Sequence, residues 1–374
     1  MEKNRFLIVA SFPHNLISFR GPLMAALQIK GFEVHVAVPE LPPGHVLRVQ
    51  LESQGVVVHD VPMQRTGMNP IADLRTLGAL WWLMRRLRPT QVLGYTVKPV
   101  IYGSLAAWLA RVPHRYALIT GLGYAFTAER TGALTQLVRW LYAVSLLHVR
   151  KVFFQNPDDE ALFRKIGVLH KAVPSVVVSG SGVDVAQFPV APLRSGPPVF
   201  LMIARLLGDK GVREYVAAAR IVKARYAGVR FALVGWIDSN PDAITQEELD
   251  LWVQQGVVDY LGRLSDVRPA IADCTVCVLP SYREGTPRTV LEGMAMGRPI
   301  ITTDAPGCRE TVVDGENGFL VPVRSAEGLA AAMSRFAEDP GLTGRMGQRS
   351  RAIAEEKYDV HKVNAVMLKE MGLA

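Results

Sequence analysis

No apolar run in the sequence reaches the ~18 residues that a membrane-crossing helix needs, so no transmembrane anchor is expected. The opening stretch MEKNRFLIVA has neither a signal-peptide core nor a small-residue cleavage site, and it runs straight into a strand. A cytoplasmic location is therefore expected. Cysteine is scarce, with only Cys274, Cys277 and Cys308. Cys274 and Cys277 are spaced C-x-x-C, but beside a predicted buried strand and not at a helix start. They read as core cysteines in a reducing compartment better than as a redox or zinc pair. There is no tandem repeat. No basic motif interleaved with aromatics appears, so nucleic acid is not expected as a partner.

What is present is a globular composition, with 49% hydrophobic and 20% charged residues, and a length of 374 that predicts two domains. The net charge of +8 is unevenly spread. Residues 1–190 hold 20 Lys+Arg against 11 Asp+Glu, whereas residues 191–374 hold 22 against 23. Between Arg75 and Lys151 there are 11 basic residues and a single acid, Glu129. Positive charge confined to one half points to a polyanionic partner for that half, and an anionic membrane surface fits it better than nucleic acid.

Short apolar runs alternate with helical patterns along the whole chain. Strands are predicted at Phe6–Ala10, Val34–Val38, Val56–Val61, Gln91–Tyr95, Tyr116–Ile119, Lys151–Phe154 and Ser175–Val178, with helices such as Pro22–Lys30 and Ile71–Leu87 between them. A second set follows at Pro198–Ile203, Arg230–Val234, Val257–Tyr260, Thr275–Leu279, Ile300–Thr303 and Phe319–Val321. Strands alternating with helices imply two α/β domains, each a doubly wound parallel sheet. The Gly-, Ser- and Pro-rich stretch Ser179–Pro198 is the expected joint. Domain boundaries are expected at 1–185 and 186–355, with 356–374 as a final helical segment.

The most informative run is Glu284-Gly-Thr-Pro-Arg-Thr-Val-Leu-Glu292. It follows the apolar strand Thr275–Ser281, crosses the breakers Gly285 and Pro287, and enters a helix predicted at Thr289–Met296, with Pro287 at its first position. Glu284 and Glu292 can therefore face one bound molecule. Carboxylates accept hydrogen bonds from hydroxyls, which favours a sugar or a ribose. Backbone N–H groups from Gly285 to Arg288, near a helix N-terminus, suit anionic oxygens. A solvated glutamate pair is the plain alternative. A second loop, Ala204-Arg-Leu-Leu-Gly-Asp-Lys-Gly211, carries Arg205 and Lys210 from a strand to the helix Val212–Tyr226, and suits a diphosphate. Ordinary solvated bases would look the same from this stretch alone.

With Gly297–Asp304 (GRPIITTD) and Asp314–Val321 (DGENGFLV), these motifs resemble the family 4 glycosyltransferases, retaining enzymes of the two-domain GT-B type. The resemblance implies two Rossmann-like domains facing a cleft. Helices expected at Leu342–Lys357 and Val360–Met371 would cross back to the first domain, and a hinge at Ser179–Pro198 would close the halves. It implies that Arg205 and Lys210 bind a donor diphosphate and that Glu292 binds ribose. Glu284 would contact the donor sugar, Gly285, Thr286 and Pro287 would hold sugar and phosphate through backbone, and Arg263 would lie near the base. Gly21 matches a glycine near the donor diphosphate. A UDP-sugar donor is implied, with no cofactor and no metal. The lack of any Asp-x-Asp pair agrees with cationic side chains doing the neutralising.

The stretches Tyr95-Thr-Val-Lys-Pro99 and Thr120-Gly-Leu-Gly-Tyr-Ala-Phe126 narrow the resemblance to the branch that extends undecaprenyl-diphosphate-linked sugars, which includes N-acetylgalactosaminyltransferases. A polyprenyl-diphosphate-linked saccharide is then the implied acceptor. Arg20, Ser18 and Lys98, all placed at strand ends, are the candidates for its phosphate, with simple surface cations as the alternative. Many family members carry a histidine in the loop that here reads Thr120-Gly121. His14, from another loop, is the candidate catalytic histidine, with a structural role as its alternative. Trp81 and Trp82 beside Arg85, Arg86 and Arg88, and Trp140 and Tyr142 in Leu134–Val149, resemble interfacial helices or ordinary cover for the sheet. The combined expectation is a retaining transferase, peripheral on the inner face of the cell membrane. A UDP-sugar 2-epimerase and a non-catalytic membrane partner subunit are the alternatives.

Overall fold

The computed structural model describes residues 4–64, 67, 69–122, 132–238 and 240–374. Gly123, Phe126 and Glu129, singled out above, lie outside the described residues. The chain divides into two compact units, Met1–Ser181 with Val363–Ala374, and Gly182–Lys362.

The first unit is built on a seven-stranded parallel sheet. Its strands are β1 (Arg5–Val9), β2 (Glu33–Val38), β3 (Val57–Asp60), β4 (Gln91–Tyr95), β5 (His114–Ile119), β6 (Lys151–Phe154) and β7 (Ser175–Val177), in spatial order β3-β2-β1-β4-β5-β6-β7. The crossovers carry α1 (Leu16–Ile29), α2 (Val46–Ser53), α3 (Pro70–Leu87), α4 (Ser104–Leu109), α5 (Ala133–Leu146) and α6 (Pro157–Lys165). Central strands covered on both faces must be apolar throughout, and β1 and β4 are buried along almost their whole length. The order reverses between β1 and β4, which is where open α/β sheets bind ligands, outside the carboxyl ends of the strands. There the Ser11 hydroxyl lies 2.7 Å from that of Thr96, tying the loops after β1 and β4 together.

The second unit repeats the plan with six strands, β8 (Val199–Ile203), β9 (Arg230–Val234), β10 (Asp259–Tyr260), β11 (Val276–Leu279), β12 (Ile300–Thr303) and β13 (Gly318–Val321). Their order is β10-β9-β8-β11-β12-β13, so the reversal falls between β8 and β11. Its helices are α7 (Val212–Lys223), α8 (Gln246–Gln254), α9 (Arg268–Asp273), α10 (Arg288–Ala295), α11 (Ala326–Glu338) and α12 (Pro340–Ile353), followed by α13 (Val360–Glu370). No described helix is long and apolar enough to cross a membrane.

Several boundaries differ from expectation. Pro22 is inside α1, which begins at Leu16, although a proline reads as a helix start. The apolar spacing explains the longer helix: Leu16, Arg20, Leu23, Met24 and Leu27 share one buried face. Pro287 is the N-cap of α10 and not its first residue. Of the two expected terminal helices, α12 packs into the second unit's core through Met346 and Ile353. Only Val363–Ala374 belongs to the first unit, where Met367, Leu368 and Met371 join its core and the Tyr116 hydroxyl donates to the Met371 carbonyl at 2.8 Å.

Most of the expected joint is also fixed in place. Fully buried Arg298 donates to the carbonyls of Ala191 and Pro192 as well as to Ile271, Ala272 and Met296. Arg351 donates to Val185, Phe188 and Ala295. Two arginines thus fasten residues 185–192 to the second unit. The cysteines are packing residues: all three are buried, and a Cβ on Gly293 would meet the Cys277 sulfur at 2.6 Å.

At the other edge of the first sheet, the rings of His35 on β2 and His59 on β3 stack at 5.3 Å and share a 3.0 Å hydrogen bond. Burial, then the neighbouring His35, Arg48 and Arg86, hold the His59 pKa down at about 4. The neutral ring is therefore favoured in the folded state, while the unfolded chain takes up a proton near pH 6.5. This stabilisation is complete above pH 6.5 and is lost progressively as the pH falls toward about 4. Thermal unfolding should show a midpoint that drops between pH 7.5 and pH 5, and His59→Phe should flatten that dependence. An unchanged slope in the variant would remove His59 as the cause.

Candidate functional site

The second unit brings two predicted loops together at its switch point. The loop after β8 carries Arg205 and Lys210, and the loop after β11 carries Glu284. Backbone locks them: the Tyr282 N–H donates to the Asp209 carbonyl at 2.8 Å, and the Ser281 hydroxyl donates to the same oxygen at 3.2 Å. Gly211 shows how close the approach is. It holds φ of +74°, and a Cβ there would lie 2.2 Å from the Pro280 carbonyl oxygen. Only glycine allows that conformation and that contact together.

Lys210 Nζ meets Glu284 Oε1 at 2.6 Å, with both side chains largely withdrawn from solvent. Burial works against the ammonium, yet the Glu284 and Asp209 carboxylates outweigh it and raise the Lys210 pKa. The same crowding acts on Asp209, whose pKa is raised by burial and by nearby Glu284 and Asp242, against the pull of Lys210 and Arg205. The Asp209 N–H is itself held by the Asp242 carboxylate at 2.8 Å. Arg205 reaches Asp238 at 3.0 Å.

Glu292 lies one turn into α10, which starts beside β8: the Thr289 hydroxyl donates to the Ile203 carbonyl at 3.1 Å. Arg288 Nε donates to Glu292 Oε1 at 2.8 Å, an i,i+4 pair. Burial raises the Glu292 pKa, and Arg288 opposes it. The backbone from Glu284 to Pro287 is braced from below. Glu284 N–H donates to the Pro306 carbonyl at 2.9 Å, and a Cβ on Gly307 (φ +81°) would lie 2.1 Å from the Glu284 carbonyl oxygen. Gly285 and Thr286 lie on this braced segment. Arg263, after β10, lays its guanidinium over the Trp236 ring at 4.7 Å, so it is stacked on a residue of the loop after β9.

Sequence reading missed Asp209 and Asp238, which supply counter-charge to Lys210 and Arg205, and Asp242, which holds the Asp209 N–H. It also missed Arg288, although its spacing of four from Glu292 on a predicted helix was a usable signal. Tyr282 was missed too. Its hydroxyl donates to Glu214 at 2.5 Å and Arg324 lies 4.9 Å over its ring.

In the first unit the candidates are less alike. Ser18, Arg20 and Gly21 sit within α1 and not in the loop before it. Ser18 is exposed. Gly21 is an ordinary helical glycine: a Cβ there would meet only Ile17 Cγ2, at an unstrained 3.9 Å. Arg20 is almost fully buried, its guanidinium 4.9 Å from the centre of the Tyr95 ring. Burial, partly offset by Arg20, pushes the Tyr95 hydroxyl up to about 12. Lys98 is not an open loop cation: it forms a buried 2.7 Å ion pair with Asp73 of α3. The Asp73 carboxylate also accepts from Tyr102, whose pKa is raised by burial and by that aspartate. His14 is exposed and stacks on Phe12 at 5.1 Å. Arg20 and Lys98 are thus each packed against a buried neighbour, Tyr95 and Asp73. Among the described residues no cluster of three or more His, Cys, Asp or Glu could hold a metal ion.

Comparison with known proteins places both units in one class. The family model described as "Glycosyl transferase 4-like domain" matches residues 20–179, and that described as "Glycosyl transferases group 1" matches residues 197–339. The chain is 30% identical over 345 residues, 88% of each protein, to N,N'-diacetylbacillosaminyl-diphospho-undecaprenol alpha-1,3-N-acetylgalactosaminyltransferase of Campylobacter jejuni. It is 25% identical over 296 residues, 75% of each, to UDP-Gal:alpha-D-GlcNAc-diphosphoundecaprenol alpha-1,3-galactosyltransferase of Escherichia coli. Among solved structures, sucrose-phosphate synthase from Thermosynechococcus elongatus superimposes with a TM-score of 0.80 at 20% identity, over 98% of both chains. Anabaena HepE in complex with UDP and glucose gives 0.77 at 18% identity, over 99% of this chain and 100% of that one. Likeness at these identities is likeness of fold.

Proposed function

Because this chain belongs to the family 4 glycosyltransferases of GT-B fold, we propose that it moves a sugar from a UDP-sugar to a polyprenyl-diphosphate-linked saccharide in bacterial glycan assembly, with retention of configuration. The observation that carries the donor half is the buried Lys210–Glu284 pair at the β8/β11 switch point, flanked by Arg205 and by the Arg288–Glu292 pair. The acceptor half is supported by the two curated relatives, whose names specify undecaprenol-diphosphate substrates. N-acetylgalactosamine or a related sugar is the proposed donor group.

On this reading the donor diphosphate takes Lys210 and Arg205 from their carboxylate partners. A dianionic diphosphate offers both cations more charge than one carboxylate each, and bidentate contact with Arg205. Glu284, released from Lys210, then accepts from hydroxyls of the donor sugar, while Gly285, Thr286 and Pro287 present backbone to sugar and phosphate. Glu292, paired with Arg288, accepts from the ribose hydroxyls, and Arg263 flanks the base. His14, Ser18, Arg20, Gly21 and Lys98 are the first unit's candidates for contact with acceptor and donor phosphate. Of these, His14 and Ser18 are exposed.

The proposed step is front-face substitution. The bond from the sugar's anomeric carbon to the UDP oxygen breaks, and a bond to the acceptor oxygen forms on the same face. The acceptor proton passes to the departing phosphate oxygen, and Lys210 and Arg205 stabilise the negative charge that develops on UDP. Binding at the surface of an anionic membrane, where a polyprenyl acceptor resides, is supported by the basic excess of residues 1–190 and by exposed Trp81, Trp82, Trp108 and Trp140.

A panel of UDP-sugars with short-chain lipid-diphosphate saccharides, read by mass spectrometry, tests the reading. One donor should give a product heavier by one sugar, and its anomeric proton coupling should report the α configuration of the donor. Conversion of a free UDP-sugar without any acceptor would replace this reading with an epimerase. Lys210→Ala should lower turnover by a factor on the order of 10²–10³, measured at a temperature where the variant, destabilised by the carboxylate left unpaired, is still folded. Near-normal turnover would remove Lys210 from the diphosphate site.

A further inference from the structure

A cavity of about 340 Å³ opens at the amino-terminal edge of the first unit's sheet, where Pro89 and Thr90 lead into β4 and Val112 and Pro113 into β5. This is the end of the strands opposite to the Ser11–Thr96 switch point. Arg85, Arg88 and Arg111 line it, and no carboxylate does. Among the described residues, the side chains of these three arginines have no ion-pair partner, unlike Lys98, Lys151 or Arg5 in the same unit.

Helix-dipole compensation accounts for an arginine in the last turn of α3. It does not account for the backbone at the other two. Arg88, the C-cap of α3, has φ of +50°, and Arg111, just past the end of α4, has φ of +60°. Left-handed backbone at a helix end favours glycine, or asparagine, over a long side chain.

The surroundings say what that is. Leu74, Trp81, Arg85 and Arg88 fall on one stripe of α3, and Trp82 stands one turn before Arg86, whose guanidinium lies 5.5 Å from its ring. α4 packs on α3 and brings exposed Trp108 and Leu109 immediately before Arg111. Leu74, Trp81, Trp82 and Trp108 are between two-fifths and two-thirds exposed. Exposed tryptophans beside clustered arginines match the boundary between acyl chains and phosphates.

We infer that the Arg85–Arg88–Arg111 cavity is a binding site for the phosphate of an anionic phospholipid headgroup, with Trp81, Trp82 and Trp108 seated at the acyl boundary around it. The site would orient the first unit on the bilayer, beyond attracting it by net charge. This rests on the membrane-surface reading above, but not on the transfer reaction.

Co-sedimentation with vesicles tests it without donor, acceptor or polyprenyl lipid, so failure of the transferase reading leaves the result standing. Wild-type protein should bind phosphatidylcholine vesicles weakly and vesicles containing phosphatidylglycerol strongly. The variant Arg85→Gln/Arg88→Asn/Arg111→Asn, with asparagine chosen for the left-handed positions, should lose roughly a hundredfold of the phosphatidylglycerol-dependent binding. It should keep the weak binding to phosphatidylcholine. The variant Lys30→Gln/Lys165→Gln/Lys171→Gln removes the same charge from exposed positions that do not line the cavity, and should lose less than about threefold. Equal losses in both variants would show diffuse attraction and overturn the site. Wild-type protein supplies the arm that needs no mutation: glycerol 3-phosphate should displace it from phosphatidylglycerol vesicles better than chloride at equal ionic strength. Equal displacement would again overturn the site. Calorimetric binding of glycerol 3-phosphate without any preference for phosphatidylglycerol vesicles would reassign the cavity to a soluble phosphate ester and overturn the lipid assignment.

Discussion

The second unit is organised around one buried ion pair, Lys210 with Glu284. Taking an ammonium and a carboxylate out of water costs several kcal/mol per ion, and their attraction repays this only with good geometry and further hydrogen bonds. Folding alone would be served as well by two apolar side chains. The pair lies instead where two loops leave adjacent strands at the reversal of sheet order; the loops are fixed to each other by backbone contacts that need Gly211, and the second is braced against the loop after β12 by a contact that needs Gly307. The rigid part of the site is therefore glycine and carbonyl, and the exchangeable part is charge. An anionic ligand can take the cation and leave the carboxylate to bind hydroxyls, without moving either loop.

Arginine is used in two opposite ways across the molecule. Arg298 and Arg351 are turned inward, and their donors are consumed by backbone carbonyls of residues 185–192 and of the helices beside them. They act as multidentate staples, a task suited to the fixed fork of the guanidinium. Arg85, Arg88 and Arg111 are turned outward around a cavity that offers them no carboxylate. The basic excess of the first half thus separates into residues with work inside the fold and residues left for something outside it.

The alternation of strand and helix and the two loops that carry Arg205, Lys210 and Glu284 were readable because each rests on local pattern: short β-branched runs, breakers, and charges at strand ends. Arg205, Lys210 and Glu284 lie in the loops after β8 and β11 because a strand's carboxyl end fixes its following loop to a few ångströms. The first unit was harder. Pro22 reads as a helix start, yet the apolar spacing from Leu16 overrides it, and Ser18, Arg20 and Gly21 become helical. Lys98 reads as an open cation because its partner, Asp73, lies 25 residues earlier on another helix. Asp238 and Asp242 are invisible in the same way, being partners supplied by a neighbouring loop, one to the Arg205 guanidinium and one to the Asp209 N–H. Pairing across elements leaves no mark in local sequence.

The central claim is that Glu284 competes with the donor diphosphate for Lys210. Calorimetric affinity for UDP, which has the diphosphate but no transferable sugar, tests it most directly. Lys210→Ala should weaken UDP binding, while Glu284→Gln should strengthen it or leave it unchanged, since Lys210 is then released and a nearby negative charge removed. Weakening by Glu284→Gln as large as that by Lys210→Ala would contradict the claim, because Glu284 would then be holding the diphosphate site together and not competing for its cation.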